Sequence, residues 1–446
     1  MYLNKMCEFF CGKWRENIQT NLILSLVFLV CTFYLLLQVK LLAYNLVFSD
    51  QIDLFFGYLQ NKNLITLFFQ QHGPHRQGLG SLVMFPILKL ANWDIRALSY
   101  LTFLVMIVSV LFWILSLRIK KIPLIPAIAI IVLSLSLGSV ELLTITPNIS
   151  HSALPILFSS LLFWLVLKYR FIGLWPNLAS LIVLIFSLFT GFGIFLFFSY
   201  FVVFCIKELS IFSQKKLQHD SIVATLSTCI VFVFSLVIFF IDYNYSKGEG
   251  CSASALSNIG QVLRYVFAVT SIPFGGSRLG AIAIPVGFLV ICMMSVIAFI
   301  ATRNVITKKD ITSFALLVMI MTSVGFVINV AIGRHCLGID SAYASRYYQI
   351  ASLGVIASIF ALSDWCRGKF SYVISTMTVI LILVTFLVIN PSMKQMGEDF
   401  FGLKKNFNSC LDSGGSLHDC NIKFKIYPPD DQRLGSILAM IKKTNR

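Results

Sequence analysis

Two aspartates three residues apart, Asp50 and Asp53, follow directly on the first long apolar segment of the chain. On a helix this spacing places both carboxylates on one face. A partly desolvated carboxylate at a membrane surface suits a general base that takes a proton from a hydroxyl group. The structural alternative is that Asp50, or Ser49 before it, caps the first turn of a short interfacial helix.

A polar stretch, QQHGPHRQGLG from Gln70 to Gly80, follows about twenty residues later and holds His72, His75 and Arg76. Its Gly-Pro pair is a turn signal that separates the two histidines. An arginine binds a phosphate well, because its planar fork donates two parallel hydrogen bonds. Arg76 is therefore a candidate phosphate ligand, with contact to lipid headgroups as the alternative. The histidines are candidates for lining the site, with polar packing as the alternative.

A second polar cluster, Gly333 to Gly354, contains Arg334, His335, Arg346 and Tyr347 between two apolar segments. Arginines at a membrane boundary are costly and usually face a cavity or a ligand. Arg346 is therefore predicted to bind phosphate, whereas Tyr347 either lines the site or anchors a helix at the interface. Two further residues complete the candidate site: Arg278, at the end of the PFGGSR turn, as a phosphate ligand, and Glu141 as a lining residue.

The composition defines the class of protein that must position these residues. Of 446 residues, 58% are hydrophobic and only 12% are charged, about half the charged fraction of a soluble domain. An all-α, polytopic membrane protein is predicted, with about eleven transmembrane helices. The predicted spans lie near Asn21–Leu42, Ala97–Leu117, Pro123–Leu137, Ala153–Leu167, Asn177–Phe189, Gly193–Ile206, Ser221–Ile241, Ala281–Ala301, Ser313–Ile332, Tyr347–Leu362 and Ser371–Ile389.

The net charge of +16 is distributed in short clusters between apolar segments, which favours a role in topology over nucleic-acid binding. A hairpin at Thr190–Gly193 puts sixteen Lys and Arg residues on the side of the amino terminus and nine in the opposite short loops. The amino terminus is therefore predicted to be cytoplasmic. Residues 1–390 would form the membrane domain, with a catalytic first outer loop at 43–96, and residues 391–446 an outer tail. In an oxidising compartment Cys410 and Cys420 could close a small loop in that tail.

The outer face thus combines carboxylates, histidines and arginines. This set suits a reaction in which a nucleophile loses a proton and an anionic phosphate departs. The chain contains neither a Walker A loop nor a dinucleotide-binding glycine motif, so a lipid-linked phosphate is favoured over a soluble nucleotide as donor. No Cys/His ligand spacing is present and no pattern demands a metal or another cofactor, although a divalent metal is compatible with the chemistry.

Three patches of the sequence resemble polytopic glycosyltransferases of the GT-C class. In a large bacterial subgroup the first outer loop reads roughly D-Q-W-D, then about twenty residues, then Q-H-N-E-H-R, which Asp50–Asp53 and Gln71–Arg76 resemble. Residues Ala344–Leu353, ASRYYQIASL, resemble a later motif, and the tail CNIKFKIYPPDDQRLGSILAMIKK resembles the closing segment. Pro74 stands where the subgroup has glutamate, which leaves Asp50 or Asp53 as the base.

The resemblance implies an inverting glycosyltransferase that passes a sugar from a polyprenyl phosphate to an acceptor hydroxyl outside the membrane. In size and layout the chain is similar to serotype-converting O-antigen glucosyltransferases. That similarity implies glucose as the sugar, undecaprenyl phosphate as the carrier, lipopolysaccharide O-antigen or a lipid-linked polysaccharide as the acceptor, and the bacterial inner membrane with a periplasmic carboxyl terminus as the location.

Two other functions fit a polytopic chain with polar outer loops. An O-antigen polymerase or ligase would use arginines on large outer loops and would not need the carboxylate pair. A non-enzymatic transporter of lipid or polysaccharide would place functional charges near the bilayer midplane and show pseudo-repeated halves. The sequence favours the enzyme, because Lys40 is the charge that lies within a predicted span and it lies near the outer end.

Overall fold

The structure is a computed structural model that describes residues 2–59, 63–72, 75–170, 174–213, 219–244, 251–366, 371–427 and 430–444. Helices dominate the described residues. In chain order they are α1 Tyr2–Leu42, α2 Asp50–Leu59, α3 Leu64–Phe68, α4 Gly78–Leu90, α5 Arg96–Lys120, α6 Leu124–Ser134, α7 Leu154–Tyr169, α8 Leu174–Leu188, α9 Ile194–Ser213, α10 His219–Phe240, α11 Ile259–Ser271, α12 Ala283–Lys308, α13 Ile311–Arg334, α14 Tyr348–Trp365, α15 Ser371–Val384, α16 Asn390–Asp412, α17 Leu417–Phe424 and α18 Asp431–Thr444.

The apolar helices confirm an all-α membrane protein. Among the described residues, five helical segments are long and apolar enough to cross a bilayer: Ile18–Leu42, Arg96–Lys120, Gly276–Lys308, Ile311–Leu337 and Ser371–Asp412. Every other predicted span falls on a helix as well, although none of these helices is among the five. The figure of eleven spans therefore stays a prediction, whereas the multi-pass helical character is established.

The predicted break between α8 and α9 is confirmed. Thr190 bonds back to the carbonyl of Ser187 through its hydroxyl, at 2.6 Å, and the N–H of Gly191 donates to the carbonyl of Ser150, at 2.8 Å. The N–H of Gly193 donates to the Thr190 carbonyl, at 3.2 Å. The backbone groups freed by the break are thus satisfied within the protein, which non-helical backbone at this depth requires.

Two hydrophobic cores organise the molecule. The bundle core includes Trp113, Phe163 and Phe360 and lies between the apolar helices. The second core, called the outer core after the predicted orientation, joins the end of α1 and the loop that follows it to helices α16, α17 and α18. Phe55 and Leu434 are members from its two sides. The first outer loop and the tail therefore fold as one unit at one end of the bundle.

The tail is continuous with the last apolar helix. A π-helical segment, Thr385–Ile389, joins α15 directly to α16, so the predicted boundary at residue 390 falls inside one helical segment. After Asp412 the chain turns back through α17 and α18, and α18 packs on α2. The tail thus packs within the outer core, and the division into a membrane domain and a tail stays a prediction.

The polar stretch from Gln70 to Gly80 forms a small hairpin at this end. Two short strands, β1 Gln71–His72 and β2 His75–Arg76, pair antiparallel. Helix α4 follows directly and packs closely on the Ile149–Ala153 π-helix. A Cβ atom at Gly80 would lie only 1.7 Å from the Ser150 hydroxyl oxygen. A glycine is required at this close approach.

Candidate functional site

Asp50 lies at the first residue of α2, where the chain turns sharply away from α1. The turn uses Ser49 in the left-handed region, with a φ of 49°. The N–H groups of Gln51 and Ile52 donate to the backbone carbonyls of Phe48 and Ser49. The Asp50 carboxylate instead accepts from two side chains, the Ser49 hydroxyl and the Arg346 guanidinium, each at 3.4 Å. It therefore faces a polar cluster rather than capping the helix.

Arg346 bridges two carboxylates that lie far apart in the sequence. Its Nη1 is 3.4 Å from Asp50 Oδ2 and its Nε is 2.9 Å from Glu141 Oε1. The Arg346 backbone N–H also donates to Glu141 Oε2, at 3.3 Å. The Asp50 side chain is 42% exposed and that of Glu141 only 17%, so the carboxylate of Asp50 is the more accessible one. Predicted site residues from three loops thus form one carboxylate–arginine–carboxylate cluster.

The backbone around Glu141 is held by neighbouring elements. Glu141 begins a π-helical turn that ends at Ile145, and its N–H donates to the Ser345 hydroxyl at 3.0 Å. At the other end of the turn, the buried Lys404 of α16 donates to the Ile145 carbonyl at 2.5 Å. A cation at the end of a helical turn satisfies carbonyls that lack backbone partners. Lys404 thereby fixes the turn that presents Glu141.

Asp53 lies one turn further along α2 and faces the tail. The Tyr427 hydroxyl donates to Asp53 Oδ1 at 2.7 Å, and Arg433 Nη1 donates to the same oxygen. Burial, together with the adjacent Asp53, raises the pKa of Tyr427 to about 12. The hydrogen bond to Asp53 raises the pKa of Arg433 as well. The two predicted catalytic aspartates therefore have separate partners.

Tyr427, Arg433 and Lys404 were not among the residues predicted to form the site. Tyr427 and Arg433 lie within the tail segment that resembles the closing motif of the subgroup, so that motif held a usable signal. For Lys404 a single lysine in an amphipathic helix carries no such signal, because most such lysines are solvated.

Arg278 lies on a neighbouring cleft. Its Nε donates to the Ser392 hydroxyl at 2.7 Å, and its side chain is exposed. The cleft is lined by Ser345, next to Arg346, and by Tyr343 and Tyr348. Arg278 is thus near the carboxylate–arginine cluster without contacting its side chains in any hydrogen bond that the structure shows.

Arg76, predicted as a phosphate ligand, is 2% exposed and donates to three backbone carbonyls. The acceptors are Phe239, at 3.1 Å from Nε, and Phe69 and Ile241 from the two terminal nitrogens. The rings of Phe69, Phe239 and Tyr243 lie 5.5–5.9 Å from the guanidinium carbon. Burial lowers the pKa of Arg76. In this structure the guanidinium ties the hairpin to the end of α10 and lies apart from Asp50 and Arg346.

The predicted lining residues lie in other places. His75 meets Phe192 edge-on at 4.8 Å, and of His72 the structure describes the backbone only. His335 is buried, with Nε2 3.3 Å from the Ser254 hydroxyl, and Arg334 precedes it at the end of α13. Tyr347 is 1% exposed and packs on Phe326 within the bundle. None of these contacts joins the Asp50 cluster.

Two disulfides lie at the end of the bundle that carries the site. Cys410–Cys420 closes the loop between α16 and α17, as the sequence suggested, and Cys251–Cys336 joins the loops that follow α10 and α13. Within the described ranges, no group of three or more His, Cys, Asp or Glu side chains lies close enough together to hold a metal ion.

The helices and this polar cluster define a multi-pass helical membrane protein with a carboxylate–arginine site at one end. The chain matches no protein-family model, and no curated protein matches it either.

Proposed function

We propose that the protein is a glycosyltransferase of the GT-C class. It transfers a sugar, glucose by the resemblance, from a polyprenyl phosphate to a hydroxyl of a lipid-linked or O-antigen polysaccharide. The observation that carries this proposal is the contact between Asp50 and Arg346. These residues belong to two of the three patches that resemble the class, and the fold brings them together across most of the chain.

The cluster offers the two functions that such a transfer needs. A carboxylate of the Asp50–Asp53 pair accepts the proton of the acceptor hydroxyl, whose oxygen forms the new bond to the anomeric carbon of the sugar. The bond from that carbon to the phosphate oxygen breaks, and its electron pair leaves with the phosphate. Arg346, with Arg278 at the neighbouring cleft, stabilises the charge that develops on the leaving group. Attack and departure on opposite faces of the sugar invert the anomeric configuration.

Glu141 fits a positioning role in this proposal. Its carboxylate binds both the side chain and the backbone N–H of Arg346, so it orients the guanidinium toward Asp50. An incoming phosphate competes with the carboxylates for the guanidinium N–H groups, of which an arginine has five. The cluster thus has the composition to exchange a carboxylate contact for a phosphate contact.

The disulfides support an outer location for the site. Disulfides persist in oxidising compartments such as the bacterial periplasm. Both pairs lie at the end of the bundle that carries Asp50 and Arg346. The distribution of Lys and Arg gives the same orientation independently. We therefore place the site on the periplasmic face of the inner membrane, with the amino terminus in the cytoplasm.

The test is sugar transfer by the purified full-length chain in liposomes. The donor is a polyprenyl phosphate carrying labelled glucose, and the acceptor is a lipid-linked O-antigen repeat. We expect the acceptor to gain the mass of one hexose, and the Asp50→Asn, Asp53→Asn double variant to lose transfer while it still inserts in the membrane. The exposed Asp412→Asn variant is the matched control. Full activity in the double variant would contradict the proposal, and transfer of a whole repeat would indicate a polymerase or ligase.

A further inference from the structure

We propose that Asp50 alone is the base and that Asp53, Tyr427 and Arg433 form a tail clamp that positions it. The tail clamp is defined here as these three side chains. This inference rests on the proposed function for the role of Asp50, whereas the clamp itself is a structural claim about the tail. Within it, Asp53 and its two tail partners are positioning residues.

The carboxylates of Asp50 and Asp53 differ in how many side chains they already bind. Both tail donors converge on one oxygen of Asp53, Oδ1, and Arg433 Nη1 also donates to the Tyr427 hydroxyl at 3.3 Å. The Asp53 carboxylate is therefore already engaged by a guanidinium and a phenol, and these bonds fix its orientation. Among the described residues Asp50 has one ionic partner, Arg346, and it has the more exposed side chain, at 42% against 31% for Asp53.

The tail contacts the chain on both sides of Asp50. On one side, the N–H of Ser49 donates to the carbonyl of Ile426 at 3.0 Å. On the other side, three residues after Asp50, Asp53 binds Tyr427 and Arg433. Ile426 and Tyr427 are adjacent, so one short segment of the tail fixes the whole first turn of α2. A general base must be held within a few tenths of an ångström of its geometry, and this arrangement provides that constraint.

Tyr427 and Arg433 are themselves held in place by further contacts within the tail and with α2. Asn421 bonds to Tyr427 twice, from its amide to the Tyr427 carbonyl and from the Tyr427 N–H to its side-chain oxygen, both at 2.8 Å. Arg433 lies over the Phe56 ring at 5.0 Å, and its Nε is 3.7 Å from Asp430. The tyrosine remains a neutral donor, since its pKa is raised to about 12. The described surroundings of Asp53 therefore hold it in one orientation.

The experiment separates positioning from proton transfer with three variants, Arg433→Gln, Tyr427→Phe and Asp53→Asn, in the full-length chain. The exposed Lys405→Gln variant is the control. Each clamp variant should lower kcat by about 10- to 100-fold with KM for the donor nearly unchanged, as expected for a base displaced by about an ångström. Hydrogen exchange of α2 and α18 should rise in each. Arg433→Lys should recover part of the loss, because it restores the cation.

The separate aspartate variants tell the two carboxylates apart. If Asp50 is the base, Asp50→Asn loses transfer completely, whereas Asp53→Asn keeps the residual activity expected of a clamp variant. If Asp53 is the base, Asp53→Asn loses transfer as completely as Asp50→Asn. That result would overturn the inference.

Hydrogen exchange tests the clamp without any assay of sugar transfer. Unchanged exchange of α2 in Arg433→Gln and Tyr427→Phe would refute the clamp, whatever the activity. If the unaltered protein transfers no sugar but the clamp variants do raise exchange, the proposed function fails, the role of Asp50 fails with it, and the clamp stands. The two failures are therefore distinguishable.

Discussion

Arg346 and Asp50 lie 296 positions apart in the sequence, and their side chains approach to 3.4 Å at the end of the bundle that carries the tail. The arginine reaches Asp50 from the short 3-10 turn before α14, and Glu141 holds it from the opposite side. A single guanidinium thus connects an exposed carboxylate to a nearly buried one. A ligand that binds this guanidinium would therefore alter the contacts of both carboxylates.

Arg346→Lys should show that the shape of the guanidinium matters as well as its charge. A lysine keeps the positive charge but cannot bind Asp50, Glu141 and a phosphate with a planar fork. We expect kcat/KM for the lipid-linked sugar to fall about 100-fold, the loss typical for a donor aimed at developing negative charge. Steady-state kinetics in liposomes measure this, with the exposed Arg303→Lys as control. Activity within threefold of the unaltered protein would contradict a bidentate role.

Arg76→Met should destabilise the protein rather than weaken donor binding. The change removes the donors from the carbonyls of Phe69, Phe239 and Ile241 and leaves the buried Phe239 acceptor without its charged partner. We expect the free energy of unfolding to fall by about 2–4 kcal/mol. Thermal unfolding in detergent measures the change, and Arg303→Gln is a matched control on an exposed arginine. A raised KM for the donor with unaltered unfolding would instead support the phosphate role that the sequence suggested.

The sequence predicted the helices better than the site. Hydrophobic length can be read directly from a chain, because a bilayer requires about 20 apolar residues per span. Each predicted apolar segment accordingly falls on a helix. The break at Thr190–Gly193 was predictable because two glycines interrupt the apolar run there. Helix α11 was missed because it is amphipathic and short.

The candidate site contains contacts that the sequence alone could not predict. Arg346 was predicted because an arginine at a span boundary is costly without a partner. Arg76 was predicted because the guanidinium fork suits a phosphate, and that rule could not tell a phosphate from the backbone carbonyls that Arg76 binds here. The contact between Arg433 and Asp53 spans 380 positions, and no local pattern encodes a pairing of that range. Tertiary packing decides such contacts, so only the fold reveals them.

The pH should control how firmly α17 and α18 are joined. His418 Nδ1 contacts Asp431 Oδ2; hydrogen bonding to Asp431 raises the pKa of His418. Hydrogen bonds from Asn421 and then His418 lower the pKa of Asp431. The histidine's contribution is therefore present below pH ~6.5, its unfolded pKa, and is lost as pH rises through its higher folded pKa. The aspartate's contribution is lost as pH falls through its lowered pKa.

Hydrogen exchange of α17 and α18 between pH 5 and 9, corrected for intrinsic rates, measures this dependence. We expect protection to decrease toward the alkaline end in the unaltered protein and to be nearly independent of pH in His418→Gln. Because the histidine is exposed, the effect should also shrink as salt is added. An unchanged alkaline decrease in His418→Gln would assign the titration to another group.

Removal of the Cys410–Cys420 disulfide should loosen the tail and, through it, the first turn of α2. The bridge closes the loop between α16 and α17, and Cys420 is fully buried in the outer core. In the chain-entropy model, a bridge across about ten residues lowers the entropy of the unfolded chain and so stabilises the folded state by about 2–3 kcal/mol. In the Cys410→Ser, Cys420→Ser double variant we expect faster hydrogen exchange in α17 and α18. The control is Cys292→Ser, which replaces an exposed free cysteine of α12. If exchange in the double variant is as slow as in the unaltered protein, packing alone holds the tail in place.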